Sequence, residues 1–277
     1  MFAKIICARL EKKIKAQLDH KNIGVQVFDR IDSTNSEAKR LALALAKAEE
    51  KFQTLADADK KIPQPIILVA LEQSAGRGRV GRSFVSRRGR GIYMTLLYFS
   101  DEALGDVVSV TTAAAVATAT SIEEITGKPM KIKWVNDIYN EQGKVSGILV
   151  EGQATSIGYA VAVGVGINVG KADFPDEIKN IASSIGNIGK TRASLIAKVA
   201  DKLLDFAENS ASREYMNDYR SRFMLEGKMV NLIRADEIVG CGEVLGVDDD
   251  GGLIVSVDGK IEIIRSGEVT VRENEEK

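Results

Sequence analysis

Six arginines, Arg77, Arg79, Arg82, Arg87, Arg88 and Arg90, fall between Glu72 and Asp101, a stretch with no acidic residue. Three of them sit within Gly76-Arg77-Gly78-Arg79-Val80-Gly81-Arg82, in a chain whose formal net charge is only -1. Glycine lets backbone N–H groups approach an anion, and guanidinium forks grip phosphate oxygens in a fixed plane. The loop therefore reads as a phosphate site, with a solvated basic loop as the plain alternative. Two better-known phosphate patterns overlap it. Gly76, Gly78 and Gly81 followed by Asp101 mimic a dinucleotide fingerprint, and Gly76, Gly81, Arg82 and Ser83 mimic a P-loop with arginine in place of lysine. Both need a helix opening on the last glycine. Ser83 to Gly91 has no helical apolar spacing and carries further glycines, so neither pattern fits.

The remaining composition narrows the chemistry. His20 is the only histidine, which argues against a Ser-His-Asp triad and a histidine-based zinc site. Cys7 and Cys241 lie far apart and read as free thiols of a reducing compartment. Catalysis has to run on Lys, Arg, Asp, Asn and backbone groups. The 277 residues, 44% of them hydrophobic, can bury a substantial core. No secretory h-region follows Met1, and the uncharged run Val107 to Ile122 is too short and polar to span a bilayer. A cytoplasmic protein without membrane contact is expected.

The elements that must hold the loop follow from periodicity. The first twenty residues suggest an amphipathic helix, and Val25 to Ile31 a strand. A helix then begins at Asp32-Ser33-Thr34-Asn35, with Thr34 and Glu37 as a capping box, before a loop or frayed helix end from Glu49 to Lys61. Ile66 to Leu71 and Ile92 to Phe99 are buried strands on either side of the arginine loop, and Val107 onward is a buried helix ending near Gly127. Lys131 to Val135 and Lys144 to Val150 pair as a hairpin across a turn, Asn136 to Gly143. From Tyr159 to Val169, Val161, Val163, Val165 and Ile167 face one way while Ala162, Gly164, Gly166 and Asn168 face the other. A strand face cleared of bulk invites a ligand or a second backbone. Thr191 caps a helix striped by Leu195, Ile196, Val199 and Leu203, and Tyr215, Tyr219 and Phe223 mark another, where core packing is their expected job. Short strands follow from Lys228, two of them joined by a hairpin turn at Asp258-Gly259, as in a small β-barrel; Asp248 to Gly252 reads as a turn rather than a calcium loop.

In order along the chain, Asp32-Ser33-Thr34-Asn35, Gln73, Gly76 to Arg82, Lys133-Trp134-Val135-Asn136-Asp137, Lys144-Val145-Ser146-Gly147 and Gly166-Ile167-Asn168 resemble the signatures of biotin protein ligases. The resemblance covers nearly the whole chain. It implies an α+β fold like that of class II aminoacyl-tRNA synthetases: a mixed or antiparallel central sheet flanked by helices in a ligase domain of residues 1–227, then an SH3-like barrel at 228–277. It implies ATP-dependent biotinylation of a carrier-protein lysine through biotinoyl-5′-adenylate. Lipoate or octanoate ligation on the same fold and a non-catalytic phosphate or nucleic-acid module are the alternatives; the latter is poorly supplied, since Phe84 is the only aromatic in the loop.

The same resemblance assigns roles. Ser33, Thr34, Asn35 and Gln73 match biotin-holding positions, joined by Arg77, Gly78, Arg79, Lys144 and Gly147. Gly76, Arg77, Arg79, Arg82, Phe84, Asn136, Lys144 and Asn168 match the adenylate side. Lys144, Arg79 and Asp137 are the catalytic candidates: Lys144 bridges carboxylate and phosphate, Arg79 belongs to the lid, and Asp137 orients the acceptor lysine. Magnesium is expected to enter with ATP, without a metal site of the protein's own. The partner is biotin carboxyl carrier protein of acetyl-CoA carboxylase or another biotin-dependent carboxylase; a homodimer is left open. About twenty-four residues before the first strand are too few for a DNA-binding repressor domain, so no DNA is expected. Val135 stands where the family pattern has proline, which loosens that turn, and Arg87, Arg88 and Arg90 are surplus cations.

Overall fold

Alternating apolar runs pair into one large sheet because each buries its bulky face under helices. The computed structural model describes residues 2–56, 62–100, 107–171, 173–209, 212–234, 237–265 and 269–273. The end of the charged stretch before Pro63 and Asp101 lie outside the described residues. The elements are α1 (Phe2–Gln17), β1 (Gly24–Phe28), α2 (Thr34–Ala56), β2 (Ile66–Ala70), β3 (Gly91–Ser100), α3 (Val107–Thr126), β4 (Lys131–Lys133), β5 (Asp137–Asn140), β6 (Gly143–Thr155) and β7 (Gly158–Asn168). After these come α4 (Arg192–Glu208), α5 (Tyr215–Arg222), β8 (Met229–Arg234), β9 (Glu237–Val247), β10 (Leu253–Val257), β11 (Lys260–Ile264) and β12 (Val269–Glu273).

Seven strands form a mixed sheet in the order β1-β2-β3-β7-β6-β5-β4, with β1 and β2 parallel and the other neighbours antiparallel. One face carries the main core, where Val161, Val163, Val165 and Ile167 of β7 pack with α1, α3 and α4. The other face is only partly roofed. Ala38, Ala42 and Ala46 of α2 cover Leu68, Leu97, Ala160 and Ala162, and the cover stops there. Gly164, Gly166 and Asn168 continue the same face of β7 into open space, so the small residues mark where the roof ends and a cavity begins.

β8 to β12 make a separate five-stranded antiparallel sheet, β11-β10-β9-β8-β12. Asp258 (φ 49°) and Gly259 (φ 75°) form the two-residue turn expected between β10 and β11, both in the left-handed region that such turns require. Asp248 to Gly252 is a turn in which Asp248 Oδ1 accepts the Asp250 and Gly252 N–H groups. Val230, Leu232, Val244, Leu253 and Val255 belong to the same core as α3 and α5, so the two sheets are packed together. Among the described residues, no helix is long and apolar enough to cross a membrane.

Four expectations need correction. The part of the expected loop or frayed helix end that is described, Glu49 to Ala56, continues α2 as helix. Thr34 is the first residue of α2 rather than its cap: its N–H and hydroxyl both turn to Gln73 Oε1, and Glu37 pairs with Arg40. Asn136 to Gly143 is not one long turn, because Asp137–Asn140 pairs on both sides as β5 and leaves tight turns at each end. Thr191 precedes α4 but gives no side-chain cap, its hydroxyl donating back to Ile188 O. β12 was not anticipated.

Candidate active site

The arginine loop crosses the open face as a small hairpin. Arg77 bridges Ser83, Gly78 N–H donates to Arg82 O (2.7 Å), and Arg82 N–H donates to Arg79 O (3.1 Å) around Val80 and Gly81, both with positive φ. No helix opens after Gly81, as its context requires. Beneath the loop lies a cavity of about 1010 Å³. It is lined by Ser33, Thr34, Asn35, Gln73, Arg77, Gly78, Arg79, Arg82, Phe84, Asn136, Asp137, Lys144, Gly147 and Asn168, so fourteen of the fifteen residues singled out above meet in one place. Gly76 does not line it. A Cβ there would lie 2.3 Å from Phe84 O, so Gly76 is small because the Phe84 backbone crosses it on the reverse side of the loop.

One end of the cavity is rich in hydrogen-bonding side chains. Gln73 Oε1 accepts the Thr34 N–H (2.8 Å) and hydroxyl (3.1 Å), and Gln73 Nε2 donates to Ser86 Oγ (2.9 Å). Thr95 Oγ1 lies 2.7 Å from Asn35 Oδ1 and 2.8 Å from Thr34 Oγ1. Asn35 Nδ2 donates to Leu149 O and Glu151 Oε2, each at 3.1 Å. Thr95 and Glu151 are residues that sequence reasoning missed. The single threonine in the apolar run of β3 was the available signal for Thr95. Glu151 also meets Lys39 Nζ (2.8 Å) and Arg77 Nη1 (3.1 Å). Burial acts to raise its pKa, but Lys39, Asn35 and Arg77 outweigh that and hold the carboxyl below its ordinary value.

The far end is charged. Lys144 Nζ stands 2.6 Å from Asp137 Oδ1, an ion pair without hydrogen-bond alignment that leaves this buried oxygen lacking a donor. Arg79 donates to Asn136 Oδ1 (2.9 Å), while Asn136 Nδ2 donates to Ile148 O (2.8 Å), so the loop is tied to the floor. Burial lowers the Arg79 pKa, opposed by Asp137 and Tyr219. Asn168 Nδ2 donates to Ser183 O (2.9 Å), and Lys144 exchanges backbone bonds with Ile181 and Ser183. That pins the segment with Phe174, Ile178 and Ala182, which forms an apolar wall of the cavity. The surplus cations are accounted for: Arg87 and Arg90 pair with Asp173, and Arg88 with Asp29 and Glu72, away from the lining.

Between the ends, glycines set the floor height. A Cβ on Gly164 would stand 2.1 Å from Asn35 Oδ1, and one on Gly166 2.6 Å from the Phe84 ring. The turn bearing Asn136 and Asp137 is braced by neighbouring elements. Its Trp134–Val135 peptide bond is cis, Tyr219 donates to Val135 O (3.2 Å), and Trp134 Nε1 donates to Gly251 O (2.9 Å) in the turn between β9 and β10. Val135, buried in proline's place, is held by these contacts.

The family model described as biotin/lipoate A/B protein ligase matches residues 27–168, and that for the biotin protein ligase C terminal domain matches 227–272. The bifunctional ligase/repressor BirA of Bacillus subtilis is 34% identical over 222 residues, covering 76% of this chain and 68% of the relative. The biotin--[acetyl-CoA-carboxylase] ligase of Mycobacterium tuberculosis is 29% identical over 218 residues, covering 74% of this chain and 78% of its own length. Among solved structures, the biotin protein ligase from Aquifex aeolicus in complex with biotin and ATP superposes with a TM-score of 0.71 at 26% identity, covering 91% of this chain and 99% of that one. With both of its parts matched and its motif residues gathered around one cavity, the chain belongs to the biotin/lipoate A/B protein ligase family, as a biotin protein ligase.

Proposed function

We propose that this protein joins biotin to a lysine of biotin carboxyl carrier protein in two steps at the one cavity. The observation that carries the reading is the polarity of the lining: hydrogen-bonding groups at Thr34, Asn35 and Gln73, where Arg77 is paired with Glu151, and the cations Arg79 and Lys144 at the other end. In β7, Gly164 faces the hydrogen-bonding end and Asn168 the charged end, roughly 13 Å apart at strand spacing. An extended acid with a polar head and a distant carboxylate suits that layout.

In the first step a biotin carboxylate oxygen attacks the α-phosphorus of ATP, the bond to pyrophosphate breaks, and biotinoyl-5′-adenylate forms. The reactants are all anionic, so Lys144 and Arg79 contribute by offsetting charge that concentrates in the transition state. In the second step the acceptor amine attacks the acyl carbon, AMP leaves with the bonding electrons, and the amine's proton passes to Asp137. An ordinary lysine amine has a pKa of about 10.4, so a carboxylate acceptor is useful there. No protein nucleophile takes part. The loop from Arg77 to Ser83 covers the mixed anhydride and limits its hydrolysis. Phe84, against the Gly166 floor, is assigned to the adenine side. Magnesium arriving with ATP would neutralise phosphate oxygens; Asp137 and Glu177, the carboxylates of the lining, could each offer it one oxygen.

The division at residue 227, with a ligase unit before it and a C-terminal unit after, is part of this reading, supported by the family match at 227–272. So is a cytoplasmic place of work without DNA as a partner. Lipoate or octanoate ligation is not favoured, because those acids offer no hydrogen-bonding head to the Asn35 end. Purified protein with ATP, magnesium and biotin, analysed by mass spectrometry, should yield biotinoyl-adenylate; lipoate or octanoate giving the only adenylate would reverse the choice.

A further inference from the structure

Resting on that reading, we propose that Glu151 is a positioning residue that sets the hydrogen-bonding polarity of the biotin pocket by orienting the Asn35 amide. An asparagine amide presents oxygen on one side and two N–H donors on the other, and its partners decide which way it faces. Here Nδ2 meets only acceptors, Leu149 O and Glu151 Oε2, each at 3.1 Å. An ionised carboxylate cannot donate, so the flipped amide would set oxygen against oxygen. Oδ1 is thereby held over Gly164 on the cavity side, with Thr95 Oγ1 at 2.7 Å.

Glu151 is built to stay ionised. Lys39 Nζ lies 2.8 Å from Oε1 and Arg77 Nη1 3.1 Å from the same oxygen, and only 16% of its side chain is exposed. The consequence is a pocket wall that offers an acceptor. Thr95 occupies one lone pair of that oxygen; a ureido N–H satisfies the other, whereas a methylene chain or a disulfide ring buries it without a partner, which favours the ureido acid. Glu151 touches no reacting atom and acts through Asn35.

The test is steady-state ATP–pyrophosphate exchange with biotin and with octanoate, on the full chain. Glu151→Leu removes the acceptor. It should raise KM for biotin about tenfold to a hundredfold, the loss expected of a charge-assisted hydrogen bond, while KM for ATP stays within about twofold. The biotin-to-octanoate ratio of kcat/KM should fall in step. Glu151→Gln keeps an oxygen acceptor and should recover part of the loss, and it serves as the readout if the leucine variant does not fold. In an Asn35→Ala background, Glu151→Leu should leave KM for biotin unchanged. An undiminished effect there, or an equal loss from Lys39→Met, which spares the carboxylate, would overturn the assignment in favour of a general role in the ion cluster. Failure of the unsubstituted chain to show any biotin-dependent exchange would instead count against the functional reading itself.

Discussion

Gly164 and Gly166 lie two residues apart on one face of β7, and the structure predicts that alanine at each will damage a different substrate. At Gly164 the new Cβ would stand 2.1 Å from Asn35 Oδ1 and 2.9 Å from its Cγ, so the amide has to retreat by roughly 1 Å to reach ordinary contact. Its bonds to Thr95, Leu149 and Glu151 are 2.7, 3.1 and 3.1 Å long, and a shift of that size stretches them past the useful range. Overpacking of this kind costs about 1–3 kcal/mol of stability, and loss of one pocket acceptor should raise KM for biotin about tenfold. At Gly166 the Cβ meets the Phe84 ring at 2.6 Å, so the ring tilts and KM for ATP rises several-fold instead. Pyrophosphate exchange with one substrate varied at a time, alongside thermal melting, separates the two. A shift of the same KM in both variants, or a Gly164→Ala that melts like the unsubstituted chain and keeps its biotin KM, would rule out these separate effects.

Other consequences follow from the same geometry. Lys144→Ala should abolish adenylate formation, read as loss of biotin-dependent pyrophosphate exchange; unchanged exchange would remove Lys144 from the chemistry. Arg79→Gly should still form adenylate but release it early, because the guanidinium bond to Asn136 that ties the loop down is gone; tight retention of the adenylate in a filter-binding assay would contradict the lid. Trp134→Phe deletes the donor to Gly251 O and should cost about 1–3 kcal/mol in chemical denaturation, with kcat lowered through the turn that carries Asp137. Glu151, held below its ordinary value of 4.5, contributes stability above that pH and loses it as pH falls through its lower folded pKa. Melting between about pH 6 and pH 3 should therefore drop further for the unsubstituted chain than for Glu151→Gln.

Much of the site was readable because its residues are unusual for their elements. Glycines on one face of a strand whose other face is Val and Ile signal a close approach, and arginines on a glycine loop between two apolar strands signal an anion. The same directness applied to Asp258-Gly259, whose turn type needs those residues. Local signals misled where a tertiary partner outcompeted them. Thr34 and Glu37 have capping-box spacing, but Gln73, 39 residues on, claims Thr34. Asn136 to Gly143 is rich in turn residues, yet pairing with β4 and β6 draws Asp137–Asn140 into the sheet. Glu151 was invisible for the same reason. A single carboxylate on a strand says nothing until Asn35, Lys39 and Arg77 are brought to it from elsewhere in the chain.

On the function proposed above, the cavity under the arginine loop makes and holds biotinoyl-5′-adenylate for an acceptor lysine. The most direct measurement is a single-turnover chase. Protein is loaded with radiolabelled biotin and ATP, freed of excess substrate, then mixed with biotin carboxyl carrier protein. Label should stay on the protein as acid-labile adenylate and move to the carrier in one turnover, with a carrier lysine acylated. Label that never accumulates on the protein, or that leaves as free biotin without reaching the carrier, would contradict that function.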